Sequence, residues 1–285
     1  MRILPTLALA AIVPAVPAAL AAQAVCKPAA QTPEAQLIAY FAGPLAFGAM
    51  PGTIGLTRGR VVVAGELTAM PSPPSAISRS SGACGFNKSE NSELAPVFPR
   101  PRVALGLGHY VTVEASFLPP VTVADATPHL GGVAVSVDAP HQMPFNTILS
   151  LRVHTTFGGV DGPVTCPEKE LQLTSTQVSC YGTTPSDDTY EPNVTGLEAI
   201  VRGRAGGLRW HAVLGANSLR SRFRVNFTDG RGFEDRNVVE VQLTRMVVSG
   251  GVAWQPRPAV TLSAQAYSVP EDATTVRLGI AWRLR

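Results

Sequence analysis

The sequence predicts an all-β chain: an antiparallel, up-and-down transmembrane β-barrel of about ten strands, with eight to twelve as the range. Three observations predict it. Apolar and polar residues alternate with a period of two through most of the chain after Leu56. An apolar leader opens the chain. Charged residues are only 15% of the sequence and the mean hydropathy is positive, whereas an ordinary soluble domain carries about 25% charge. That deficit implies an outer surface that faces something other than water.

The leader comes first. Met1-Arg2 precedes an apolar run from Ile3 to Leu20 and then Ala22-Gln23-Ala24, the pattern of a secretory signal peptide removed after Ala24. Pro5, Pro14 and Pro17 interrupt the run and argue against a retained anchor helix. Cys26 follows Val25 rather than a small residue, which argues against lipid attachment there. Without residues 1–24 the chain has 285 − 24 = 261 residues, and losing Arg2 leaves 22 basic against 20 acidic side chains. That balance, with no basic run, excludes a nucleic-acid partner. No later apolar run has the length of a membrane helix. Residues 25–52 are expected to form a periplasmic N-terminal tail, a short helix or a plug. Ala35–Met50 carries Ile38, Tyr40, Phe41, Leu45 and Phe47 but is broken by Gly43, Pro44 and Gly48. Residues 53–285 make the barrel domain.

Strands are then read in order. Leu56–Met70 alternates, a polar loop runs from Pro71 to about Arg100, and Arg102–Leu118 keeps one phase, with Gly106, Gly108 and His109 either turning or bending it. Leu130–Asp138, Thr147–Phe157 and Gly196–Arg204 follow, with Gly158–Asn193 as a long loop and Ala205-Gly206-Gly207 as a tight turn. In Leu208–Thr228 and Arg236–Gln255 the apolar residues change parity part-way, which predicts a bulge or a change of environment. The reading adopted is two strands that leave the membrane as a protruding hairpin bearing Arg220, Arg222, Arg224, Glu240 and Arg245. Val260–Tyr267 and Ala273–Arg285 close the set. Placing the C-terminus in the periplasm makes the long loops outer and the short turns periplasmic throughout.

Four cysteines in an exported chain predict disulfides, not metal. Cys166 and Cys180 bracket a polar segment and are paired, which leaves Cys26 with Cys84. No cofactor and no metal site is expected.

With its leader, its dyad-repeat strands and a last strand reading Val276-Arg-Leu-Gly-Ile-Ala-Trp282-Arg-Leu284-Arg285, the chain resembles the Gram-negative outer-membrane β-barrel proteins. The resemblance implies location in the outer membrane and contact with its lipids. It also implies insertion by the barrel-assembly machinery. Such proteins end in an aromatic residue, whereas this chain ends in Arg285 with its aromatic at Trp282.

The candidate site is the polar face of the strands: Arg60, Glu66, Arg102, Glu114, Arg152, His154, Glu198, Arg202, Arg277 and Arg283. At about ten strands, paired Arg and Glu side chains are expected to fill the lumen rather than to line a wide pore. Among five histidines, His154 beside Glu198 is the pair to test for chemistry, and Ser150 lies ~13 Å from His154 along a strand. No catalytic residue is assigned. Trp210, Trp254 and Trp282 fall near periplasmic strand ends, as an interfacial aromatic girdle does. Asn87-Lys88-Ser89, Asn193-Val194-Thr195 and Asn226-Phe227-Thr228 are read as chance sequons. The expected role is structural, surface-interacting or passage of a small solute through a narrow pore, with a small solute or surface ligand as partner. The rival is a secreted β-sandwich or lipocalin-like carrier, whose aliphatic rows would point inward.

Overall fold

The computed structural model describes residues 25–78, 82–84, 97–123, 125–141 and 143–284. The expected signal peptide over residues 1–24, the Asn87-Lys88-Ser89 sequon and Arg285 lie outside the described residues. In chain order come β1 (Val25–Cys26), α1 (Pro33–Leu45), β2 (Val61–Ala69), β3 (Val97–Gly106), β4 (Val111–Leu118), β5 (Thr127–Asp138) and β6 (Ile148–Gly162). Then follow β7 (Asp188–Glu191), β8 (Val194–Ala205), β9 (Leu208–Arg224), β10 (Phe227–Thr228), β11 (Glu234–Asp235), β12 (Val238–Arg257), β13 (Val260–Val269) and β14 (Ala273–Arg283).

Ten of these make the wall: β2 to β6, β8, β9 and β12 to β14, each antiparallel to the next, with β14 pairing β2 to close the barrel. Closure leaves no wall strand with an unpaired edge along its whole length. The short β7 sits between the outer ends of β6 and β9, β1 lies parallel to β12, and β10–β11 is a separate hairpin.

The alternation maps onto the wall with one sense. On β14, Val276, Leu278, Ile280 and Trp282 are 49–56% exposed on the outside while Arg277 between them is 2% exposed. A secreted carrier needs the opposite sense, so that rival is overturned.

The parity change in the two long strands has no bulge behind it. β9 and β12 pair without a break from Arg224↔Val238 to Leu208↔Trp254. Leu214, Met246, Val248 and Val252 face out near the periplasmic side, and Leu219, Val239 and Val241 face in farther up. What changes is the outside: lipid below, water above. The interior stays packed throughout, so the apolar residues switch sides while the strands keep their phase.

Several boundaries differ from those expected. β2 begins at Val61, because residues 46–56 run irregularly inside the barrel and exposed residues 57–60 turn back into the wall. Arg102–Leu118 is a hairpin, β3 and β4, turning at 107–110. β3 starts at Val97, within the expected loop, and Gly158–Asn193 contains the end of β6 and all of β7. The cysteines pair as Cys26–Cys84 and Cys166–Cys180.

The periplasmic turns are 107–110, 139–147, 206–207 and 258–259, and the opposite, outer end carries the longer loops and both disulfides. Cys26–Cys84 ties the chain to the outer β2–β3 loop. From this rim α1 enters the lumen, and residues 46–60 continue to the periplasmic end, where β2 begins.

Candidate functional site: an occupied lumen

The helix that enters the lumen is built from local signals. Thr32 caps it by accepting from the Ala35 N–H at 3.4 Å, Pro33 occupies the first turn and Glu34 complements the N-terminal dipole. Ala39, Ala42 and Ala46 are small enough to lie against Val194, Leu219, Val247, Tyr267 and Val269 of the wall. On the other side Ile38, Tyr40, Phe41 and Leu45 meet Phe98, Leu118, Leu130, Val160, Tyr190 and Val241. Burial pushes the Tyr190 phenol up, so its O–H stays protonated and donates to the Ile38 carbonyl at 2.7 Å. Tyr40 O–H donates to Pro71 in the outer β2–β3 loop at 2.9 Å.

Below Leu45 the helix ends and its last carbonyls need partners. Four arginines from the wall supply them. Arg100 donates to Leu45 and Ala46 at 2.7 and 3.0 Å, Arg102 to Gly48 at 2.9 Å and Arg152 to Phe47 at 2.7 Å. Arg277 donates to Pro44 and Ala46 at 3.4 and 3.3 Å. Thr156 Oγ1 accepts from the Phe47 N–H at 2.9 Å, and Thr112 Oγ1 from the Leu56 N–H at 3.0 Å. The Phe47 ring sits 4.4 Å from the Arg102 guanidinium, 5.1 Å from that of Arg152 and 5.9 Å from that of Arg100. Gly132 on the wall allows this: a Cβ there would stand 2.9 Å from the Phe47 ring.

Carboxylates neutralise the arginines in turn. Glu66 lies 2.6 Å from Arg102, Glu114 lies 3.1 Å from Arg152, and Glu198 lies 2.9 Å from Arg152. Glu114 also accepts from Thr53 Oγ1 of the threaded segment at 2.8 Å. Four guanidinium groups therefore face three carboxylates, and the negative end of the helix dipole offsets part of the remaining charge. The opposite wall is polar but uncharged: Asn217 donates to Tyr267 at 3.0 Å and Gln265 to Ser249 at 2.6 Å.

Of the ten polar-face residues named from the sequence, Glu66, Arg102, Glu114, Arg152, His154, Glu198 and Arg277 lie in the lumen, each at most 3% exposed. Arg202 is at the periplasmic mouth, bonded to Asp138 and, at 3.4 Å, to Ser150 Oγ. Arg60 is not a lumen residue. It is exposed in the turn before β2, because alternation gives the face of a side chain but not its height in the barrel. Arg283 likewise sits at the rim, 3.5 Å from the Pro258 carbonyl. His154 Nε2 and Glu198 Oε1 are 3.6 Å apart, beyond a hydrogen bond. Ser150 donates to Asp138 at 2.7 Å. Trp210, Trp254 and Trp282 all stand near periplasmic strand ends on the outer face. Among the described residues no three His, Cys, Asp or Glu side chains gather as a metal set.

Sequence reasoning missed Arg100 and Asn217, and it noted Phe47 and Tyr267 without giving either a role in the lumen. Arg100 could have been found, since Pro99-Arg100-Pro101-Arg102 has the period of the strand that follows. Its prolines made it read as loop. Phe47 carries no such signal.

Two clefts flank the plug. At the periplasmic mouth about 590 Å³ is lined by Ile54, Arg202, Arg204, Arg209, Trp210 and His211. At the outer end about 540 Å³ lies between the Cys166–Cys180 loop and β10–β11, with Val178, Tyr181, Phe227, Arg231 and Phe233 around it.

A closed ten-strand barrel with aliphatic rows outside and a charged, filled centre is built to sit in a bilayer. The chain is an integral outer-membrane β-barrel protein. No protein-family model and no curated protein matches it. Solved structures similar to it include the outer-membrane protein Ail of Yersinia pestis in a phospholipid nanodisc, 11% identical, covering 80% of this chain and 100% of that one, with a TM-score of 0.33. The translocator domain of autotransporter NalP from Neisseria meningitidis is 10% identical over 82% of this chain and 91% of that one, with a TM-score of 0.34. The outer-membrane protease OmpT of Escherichia coli is 7% identical over 79% and 94%, with a TM-score of 0.37. No role is carried over from any of them.

Proposed function

We propose that this barrel is a closed, non-enzymatic outer-membrane protein whose role is at the cell surface. One observation carries the proposal: residues 33–56 occupy the lumen, and Arg100, Arg102, Arg152 and Arg277 hold the backbone of that segment. A solute would have to displace a segment bonded to four buried cations. What remains available is the outer end, where the Cys166–Cys180 loop and β10–β11 frame a cleft with Tyr181, Phe227, Arg231 and Phe233. Aromatic and arginine side chains are those that dominate protein contacts, so a surface ligand of the cell's surroundings is the proposed partner. The barrel-assembly machinery is the proposed partner during insertion.

Passage of small solutes through a narrow pore is the second reading, favoured by the cleft at the periplasmic mouth. Single-channel recording in a planar bilayer separates the two. The closed barrel is expected to give no conductance steps with protein shown to be folded by its heat-dependent gel mobility. Steady steps would overturn the proposal. His154→Ala and Glu198→Gln are expected to leave the lipid and proteolytic profiles of the envelope unchanged.

A further inference from the structure

The wall has a slit at its outer end. β2 and β3 pair fully, from Val61↔Leu105 to Ala69↔Val97, and β4 and β5 pair up to Leu118↔Leu130. Between them, β3 and β4 pair only from Gly106↔Thr112 to Arg102↔Ser116. Above that level Val97–Pro101 has no partner on β4, although β4 continues to Leu118. Pro99 and Pro101 have no N–H to give to a neighbouring strand, so the gap is written into the sequence of β3.

The slit opens into a cavity of about 150 Å³. Its inner part is formed by Phe98, Leu118, Val160 and Leu45, all buried and apolar, and its outer lip by Val97 and Pro99, which are exposed on the lipid-facing side. Among the described residues no charged side chain lines it. The slit also lies at the outer end of the aliphatic rows. Phe117 and Phe157 flank Gly131 on the outer face beside it, and polar His129 follows two residues above Gly131.

We infer that this slot seats the end of an acyl chain from a lipid of the outer leaflet, inserted sideways through the wall between β3 and β4. Three features select that occupant. The opening lies in the part of the wall that touches hydrocarbon, the described residues that line it are all apolar, and the volume holds a few methylene groups. The chain end would rest on Leu45, the last residue of α1, so the lipid and the plug share a contact. The inference rests on the barrel's place in the bilayer and is independent of whether the lumen conducts.

The test uses the full-length protein in vesicles containing a trace of phospholipid with a diazirine at the tip of one acyl chain. After photolysis, adducts are mapped by mass spectrometry. Tips of ordinary surrounding lipids lie near the bilayer midplane and label outward residues such as Leu278 and Leu214. A seated chain is expected to add adducts on the inward Phe98 and Leu118. Ala126 lines the slot with Val160; Ala126→Trp and Val160→Trp, each of which fills it, are expected to lower those adducts severalfold and to leave labelling of Leu278 unchanged. The conductance of each variant reports separately on the closed lumen. Adducts confined to outward-facing residues would overturn the inference, as would Phe98 and Leu118 labelling that both filled variants retain.

Discussion

Arg152 shows how much one side chain can carry here. It is wholly buried and donates to Glu114, Glu198 and the Phe47 carbonyl, so it joins the floor of the lumen to the threaded segment. Removing one partner from a buried charge set leaves the others uncompensated, which costs about 3–5 kcal/mol. Arg152→Ala is therefore expected to lower the unfolding free energy by ~3 kcal/mol or more in a urea titration in lipid vesicles. Adding Glu198→Gln should recover part of the loss, because the two changes share one network. Gly132 makes the same point by space alone. Gly132→Leu would push against the Phe47 ring, and the expected readout is faster proteolysis of residues 25–60 in the folded barrel.

The long strands β9 and β12 are where lipid gives way to water. Leu214 and Ser218 share the outer face of β9, four residues apart. The constant phase of the strand places Leu214 in the hydrocarbon and Ser218 near its upper limit. An arginine at the bilayer midplane costs ~2–4 kcal/mol and one near the interface ~0–1 kcal/mol. Leu214→Arg is expected to destabilise the barrel by the larger amount and Ser218→Arg by the smaller, measured by the same urea titration. Equal costs would mean that the strands do not leave the membrane where the apolar residues change sides.

The chain as a whole is threaded. From Val25 at the outer rim it passes through its own lumen and then winds the wall around the passage. The Cys26–Cys84 bond fixes the outer end of that thread to the β2–β3 loop. This sidedness predicts that, after mild reduction of intact cells, a membrane-impermeant maleimide labels Cys26 and Cys84. Labelling that requires permeabilised cells would reverse the assignment of the two ends. In the β13–β14 turn, Arg245 holds Glu271 and Asp272 at 3.0 Å each. Burial raises the Asp272 carboxyl and the guanidinium opposes that rise. A carboxyl with a raised folded-state value gives stability that is present in acid and lost as pH rises through that value. Asp272→Asn is expected to flatten the pH dependence of this turn's protection from hydrogen exchange in the range just above the ordinary carboxylate value.

Much of this was legible in order of residues alone. Period two, sparse charge and alternating long and short connections specify an antiparallel barrel, because a strand in a bilayer must turn aliphatic side chains out and can keep arginine only within. The buried Glu66, Arg102, Glu114, Arg152, Glu198 and Arg277 follow from the same rule. What period cannot supply is height and closure. It placed Arg60 in the lumen when the turn lifts it out, whereas the parity change in the two long strands was rightly read as a change of surroundings. Local pattern offered a plug as one reading of residues 25–52 but could not select it over a periplasmic tail, since the partners that hold residues 33–56 in the centre lie on strands up to 233 positions away. Those contacts exist because ten strands close into a ring just wide enough for one threaded segment, and ring closure is a property of all the strands together.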